Sequence, residues 1–204
     1  MKIYSFILLL LTFNLSNSQS LDFESGISIS KFKFINSEGS SLEMNPSDPG
    51  GYFKIGGNSP IKFGSIRYGI SMINFNNRTI IDQSPVIYKT SYLGAFAGWG
   101  NTFNHGMEIS LLLGLKTIID GTQEMNDALY MLKENEEFNG FWLAPSIFLR
   151  KTLLDTDSFK ASLSYGLTKT FKANYSTIQK LSFFSHIISV NFQFKKNIVA
   201  QDEI

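Results

Sequence analysis

Beyond residue 20 the chain alternates apolar and polar side chains with a period of two, as strands with two chemically different faces do. The clearest run is Ser158 to Phe171, where Phe159, Ala161, Leu163, Tyr165 and Leu167 alternate with Lys160, Ser162, Ser164, Gly166 and Thr168. Met107 to Ile119 sets Met107, Ile109, Leu111, Leu113 and Leu115 against Glu108, Ser110, Gly114 and Lys116. Lys180 to Phe194 sets Ile188, Val190, Phe192 and Phe194 against Ser189, Asn191 and Gln193. Ile61 to Phe75 offers Ile66, Tyr68, Ile70 and Met72 opposite Arg67, Gly69 and Ser71. Phe23 to Phe34 opens with Ile27 and Ile29 against Gly26 and Ser28, then changes phase near Ser30, which predicts a β-bulge. Three further runs bring the expected strands to eight. In Pro49 to Gly57, Phe53 and Ile55 face away from Tyr52 and Lys54. Val86 to Gly100 is apolar in both phases, so its faces stay unassigned. Phe141 to Thr152 carries Pro145 on the face of Phe141, Leu143, Ile147 and Leu149, and a proline there argues against a central strand.

Short, turn-rich links (Gly56 to Pro60, Gly100 to His105, Asp155 to Asp157) alternate with longer polar ones at Asn36 to Asp48, Asn76 to Pro85, Asp120 to Asn139 and Lys172 to Gln179. Transmembrane barrels sort their loops in this way, with short periplasmic turns at one end and longer extracellular loops at the other. The polar face is small and uncharged in mid-strand, which suits a crowded lumen, while the apolar face carries Tyr68, Phe141, Phe159, Tyr165, Phe192 and Phe194 near strand ends. The expected fold is all-β: an eight-stranded antiparallel up-and-down transmembrane β-barrel. The alternative is a secreted soluble β-barrel that binds a lipid or other apolar ligand with the same apolar face turned inward.

Lys2, the apolar run Ile3 to Phe13 and Ser16-Asn17-Ser18 have the layout of a cleaved signal peptide, and the run is too short to span a bilayer as a helix. The expected division is therefore a signal peptide over 1–18, a barrel over 19–194 and a tail over 195–204. Composition narrows the chemistry. Cysteine is absent, which excludes disulfides, thiolate metal sites and a cysteine nucleophile, and 18 basic residues against 17 acidic ones give no bulk charge for nucleic acid. Charged residues make up 17% of the chain, below the roughly 25% of soluble domains.

Several segments resemble the PorT-like outer-membrane β-barrels of Bacteroidota. Ser162 to Thr168 is similar to that family's penultimate strand, Ile188 to Phe194 to its closing strand, Gly50 to Gly56 to its second and Gly26 to Ser30 to its first. A glutamine such as Gln19 just after the signal cut is usual there. Such barrels often end on the closing aromatic, whereas ten residues, Lys195 to Ile204, follow Phe194 here. The resemblance implies an eight-stranded outer-membrane barrel in the cell outer membrane, with no established common chemistry.

No catalytic, cofactor-binding or metal signature stands out, and the expectation is a non-enzyme. Its expected partners are outer-membrane lipid and other envelope proteins, with no nucleic acid, and it is expected to be a monomer. His105 falls in a short turn. His186 falls on the lipid-facing phase, without an acid on neighbouring outward positions to orient it. The acidic segment Asp120 to Asn139 lacks calcium-loop spacing, and Met125, Ala128, Leu129 and Leu132 predict a short amphipathic helix within it. Asn77-Arg78-Thr79 and Asn174-Tyr175-Ser176 match a glycosylation sequon, as chance allows in a chain rich in Asn and Ser. An eight-stranded ring encloses a space that side chains just fill, so no open pore is expected. Strand-end positions turn Glu108, Arg150 and Lys160 inward at the periplasmic end, within cross-strand reach of about 4.5–5.5 Å between opposed Cβ atoms. Glu108 and Arg150 are expected to pair, with Lys160 on their flank and Glu24 in a similar role near the closing strand. The alternative is that both charges reach past the rim into water.

Cleavage after Ser18 is the first testable expectation: mass spectrometry of the mature protein should find Gln19 at its N-terminus, and an intact Met1 would contradict this.

Overall fold

The computed structural model describes residues 20–35, 38–81, 83–135, 138–172 and 180–195. The expected signal peptide, the Asn174 sequon and the tail after Lys195 lie outside them. Ten strands occur among these residues: β1 (Ser20–Ile35), β2 (Ser41–Pro46), β3 (Gly50–Pro60), β4 (Ser65–Ile81), β5 (Ser84–Thr102), β6 (Met107–Met125), β7 (Ala128–Met131), β8 (Phe141–Asp155), β9 (Phe159–Lys172) and β10 (Lys180–Lys195). Eight of them form a closed antiparallel ring in the order β1, β3, β4, β5, β6, β8, β9, β10 and back to β1. The closing ladder runs from Ser20 opposite Lys195 to Ile35 opposite Lys180 without a register shift. Neighbours in the ring follow one another in the chain, so the barrel is up-and-down, with β2 and β7 as short additions.

Three of the longer polar links, at Asn36 to Asp48, Asn76 to Pro85 and Asp120 to Asn139, carry strand, which corrects the expected boundaries, and the fourth lies outside the described residues beyond Lys172. β2 pairs with β1 and β4 just beyond the point where β3 does. From Met44 to Gly50 the chain advances six residues while β1 retreats only four, from Phe32 to Ser28. β2 and β3 are thus one strand interrupted by a two-residue bulge at Ser47-Asp48-Pro49. Pro49, which has no N–H to give a ladder, sits where a bulge tolerates it. Pairing of β4 with β5 continues to Ile81 opposite Ser84, so the expected connection from Asn76 to Pro85 shrinks to a two-residue turn. The helix expected between residues 120 and 139 is instead a hairpin of β6 and β7. Asn126 and Asp127 hold φ of 51° and 61°, the left-handed pair of a two-residue hairpin turn, and Met125 faces Ala128 across it. A single 3-10 turn, Leu132–Glu134, follows. These segments are polar because their outer faces meet water.

The faces divide the barrel into two storeys. In the lower one, towards the short turns, Phe23, Ile27, Leu111, Leu113, Leu163, Ile188, Val190 and Phe192 point outward and are exposed, while Ser28, Ser71, Ser110, Ser162, Ser164 and Ser189 are buried inside. That is the sidedness of a barrel in hydrocarbon. Outward rings gather near its lower edge, Phe23 against Phe53 at 5.1 Å and Phe159 against Phe194 at 5.4 Å between centroids. In the upper storey the order reverses: Phe32, Phe75, Tyr92, Trp142 and Phe183 are buried inside, and Lys31, Lys89 and Lys169 face out. This reversal explains two misfits of the alternation. The ladder of β1 with β10 passes Ser30 without the expected bulge, because the phase change is a change of solvent rather than of backbone. Residues 86–100 are apolar in both phases because Tyr92 and Phe96 point inward while Leu93, Ala95, Ala97 and Trp99 occupy the opposite, outward phase.

Pro145 does lie in a ring strand, on the outer face opposite Leu113. The ladder of β8 with β9 lapses between Leu143 and Ser146, where its missing donor falls, and the Thr168 hydroxyl donates to the Pro145 carbonyl at 3.2 Å.

Leu163, outward in the middle of the apolar band and 48% exposed, tests this sidedness. Leu163→Lys should cost about 2–4 kcal/mol in reversible folding into lipid vesicles, with a much smaller effect for Lys169→Leu near the band's upper edge.

Candidate functional site

Every inward side chain of the lower storey stands on a ladder that fixes its height, and this brings charges from six strands together. Glu108 lies directly opposite Arg150 across the ladder of β6 with β8. Arg150 Nη1 donates to Glu108 Oε1 at 2.6 Å, and its Nη2 donates to Glu24 Oε2 on β1 at 2.8 Å. Lys54 of β3 closes on the same Glu24 oxygen. Arg67 of β4 reaches the other oxygen of Glu108 at 2.7 Å and Asp22 at 3.4 Å. Lys160 stands 3.8 Å from Glu108 Oε2, closer to the mouth. The structure therefore gathers Glu108, Arg150, Lys160 and Glu24 into one network inside the ring and adds Asp22, Lys54 and Arg67 to it.

Hydroxyls complete the carboxylates. Ser189 donates to Glu24 Oε1 at 2.6 Å and Ser110 to Glu108 Oε1 at 3.2 Å. Lys54 also sits 4.6 Å from the centroid of the Phe148 ring, which Arg150 approaches at 5.7 Å. Phe148 can lie there because Gly166 faces it: a Cβ at that position would fall 2.6 Å from Phe148 Cδ1. Below the network a cavity of about 760 Å³, lined by Arg67, Glu108, Lys160, Asn58 and Asp155 among others, opens at the short-turn end. Above it Tyr52 stacks on Phe148 at 6.0 Å, and the aromatic storey follows with Phe75 on Phe183 at 4.4 Å and Tyr92 against Trp142 at 5.1 Å.

Sequence reasoning missed Asp22, Lys54 and Arg67. Arg67 carried a usable signal, since it shares the face of Gly69 and Ser71, and Lys54 shares that of Tyr52. What was lacking was the vertical alignment of β3 and β4 with β6, which the bulge at Ser47-Asp48-Pro49 sets.

The remaining candidates stand apart. His186 faces outward on β10, its Nδ1 2.7 Å from the Tyr165 hydroxyl, with no acid in that pairing. His105 lies in the turn Asn104–Gly106, where its carbonyl accepts the Lys151 ammonium at 2.5 Å. Asn77 is wholly buried and donates its amide to the Ser30 carbonyl at 2.6 Å, a position no glycan could reach. Among the described residues, no three His, Asp or Glu side chains come together as a metal site.

No protein-family model matches the chain, and neither does any curated protein sequence. Among solved structures, neisserial surface protein A (NspA) aligns with a TM-score of 0.51 at 12% identity, covering 88% of this chain and 98% of its own. The attachment invasion locus protein Ail of Yersinia pestis aligns with a TM-score of 0.46 at 12% identity, covering 87% and 99%. OprG of Pseudomonas aeruginosa, an outer membrane protein, gives 0.41 at 10% identity over 88% and 97%. The first of these likenesses shows the fold, that of a small outer-membrane-type β-barrel.

Arg150 is the hub of the network, and removing one partner of a buried ion pair leaves the others uncompensated. Arg150→Met should lower stability by about 3–5 kcal/mol in denaturant titrations of vesicle-folded protein. Adding Glu108→Gln should restore part of that loss, because it removes the excess acid and leaves Asp22 with Arg67 and Glu24 with Lys54.

Proposed function

We propose that this protein is a monomeric outer-membrane β-barrel with a structural or surface-interaction role, without enzymatic activity, and that its lumen is occupied by side chains rather than open to diffusion. The observation that carries the reading is the chain of ion pairs from Asp22 through Arg67, Glu108, Arg150 and Glu24 to Lys54, which bridges the ring from within. A diffusion pore needs mobile water where these charges neutralise one another. A second support is the upper storey. Hairpins that carry their ladders beyond the apolar band, apolar inside and polar outside, make a stiff projection suited to contact with partners outside the cell. The segments similar to PorT-like barrels of Bacteroidota, together with the signal-like first 18 residues, support export and insertion into the outer membrane.

Two measurements test this. Purified barrel in planar bilayers should show no steady, porin-sized conductance; a persistent open channel would overturn the filled lumen. Because the chain has no native cysteine, single cysteines report orientation cleanly. An impermeant maleimide on intact cells should label Asp127→Cys, in the β6–β7 turn, and leave Asp157→Cys, in the β8–β9 turn, unlabelled.

A further inference from the structure

Seven charged side chains are buried inside the ring among the described residues, and the network uses six: Asp22, Glu24 and Glu108 against Lys54, Arg67 and Arg150. The seventh is Lys116. It projects inward from β6 between Gly94 of β5 and Trp142 of β8, and only 5% of it is exposed. Its stem folds over Gly114, where a Cβ would meet Lys116 Cε at 3.4 Å. Among the described residues none hydrogen-bonds to its ammonium or forms an ion pair with it, and the charged side chain that shares its cavity is a second lysine, Lys54. An ammonium taken out of water without a partner is one of the more costly things a protein can hold.

Lys116 and Lys54 line a common cavity of about 20 Å³. Its remaining polar lining residues all carry hydroxyls, Tyr52, Ser71, Ser146 and Thr168, and no carboxylate lines it. The space takes one water-sized occupant and excludes phosphate or an organic acid. The two ammonium groups offer donors with no anionic acceptor in the wall itself, while the Ser146 and Thr168 hydroxyls are bonded to one another and to the Ala144 and Pro145 carbonyls. With Lys116 protonated, the buried side chains carry four positive charges against three negative ones. We propose that this cavity binds a single small monovalent anion of halide size, held between Lys116 and Lys54, which neutralises the interior. Glu24 already engages Lys54 from below, so Lys116 makes the contact that decides occupancy.

Bromide is the probe. Crystals of the detergent-purified barrel grown with bromide in place of chloride should give one anomalous peak in this cavity, beside the Lys116 ammonium, and Lys116→Met should lose it. A wild-type cavity without anomalous signal overturns the proposal, as does a peak that survives in Lys116→Met. A second measurement needs no variant to fold. At constant ionic strength, raising chloride against gluconate, which the cavity cannot admit, to tenfold its dissociation constant should raise the Tm of the wild type by about 3 °C or more. A Tm independent of the anion across that exchange would sink the site.

Discussion

A backbone amide inside hydrocarbon has no water to turn to, so each spanning strand must give its N–H and C=O groups to a neighbour on both sides. In this chain the requirement is met when β1 pairs with β10 along the whole length of both, Ser20 to Ile35 against Lys180 to Lys195. Much else follows from that closure. Eight strands leave an interior only about as wide as the side chains that line it. Inward positions at mid-height are accordingly serine, threonine and glycine, and large residues enter in layers, as Tyr52 and Phe148 do. Charges that point inward have too little water to solvate them, and they meet one another.

The ion-pair network ties the closure to the sequence. Glu24 belongs to the first strand of the ring and Arg150 to the sixth, 126 residues apart, yet their 2.8 Å contact exists only if every intervening ladder is in register. A one-residue slip of β1 would turn Glu24 towards lipid and Phe23 inward, a double penalty. Buried ion pairs contribute little net stability compared with apolar packing, so the more telling role of this one is to make wrong registers costly. That role also explains why acids and bases alternate along the chain of contacts from Asp22 to Lys54.

Strand existence and sidedness were legible in the lower storey because a two-solvent wall writes itself as strict alternation. Glu108, Lys160 and Glu24 could be placed inside because each lies on the serine and glycine face of its strand, and Arg150 because it lies opposite the face of Phe141, Leu143, Ile147 and Leu149. Where the outer face leaves lipid for water, the same backbone carries the opposite pattern. There polarity was mistaken for coil at Asn76 to Pro85, and a hairpin turn at Asn126-Asp127 for helical spacing. Pairing height was the other illegible quantity. Nothing local reveals that Ser47-Asp48-Pro49 is a bulge rather than a loop, and so nothing local raises Lys54 to the level of Glu24.

The reversal of polarity between the storeys has a thermodynamic consequence. The layer of Phe32, Phe75, Tyr92, Trp142 and Phe183 is packed where water is the competing solvent, so its burial carries the large heat-capacity signature of apolar hydration. The storey beneath competes with lipid, which solvates an apolar side chain about as well as a protein interior does, and is held by hydrogen bonds and ion pairs instead. One continuous sheet therefore obeys two temperature laws. Its outer end loses hydrophobic drive on cooling, a loss the ring below does not share. The stiffness of the outer end is set by water, in a molecule whose remaining stability is set by the membrane.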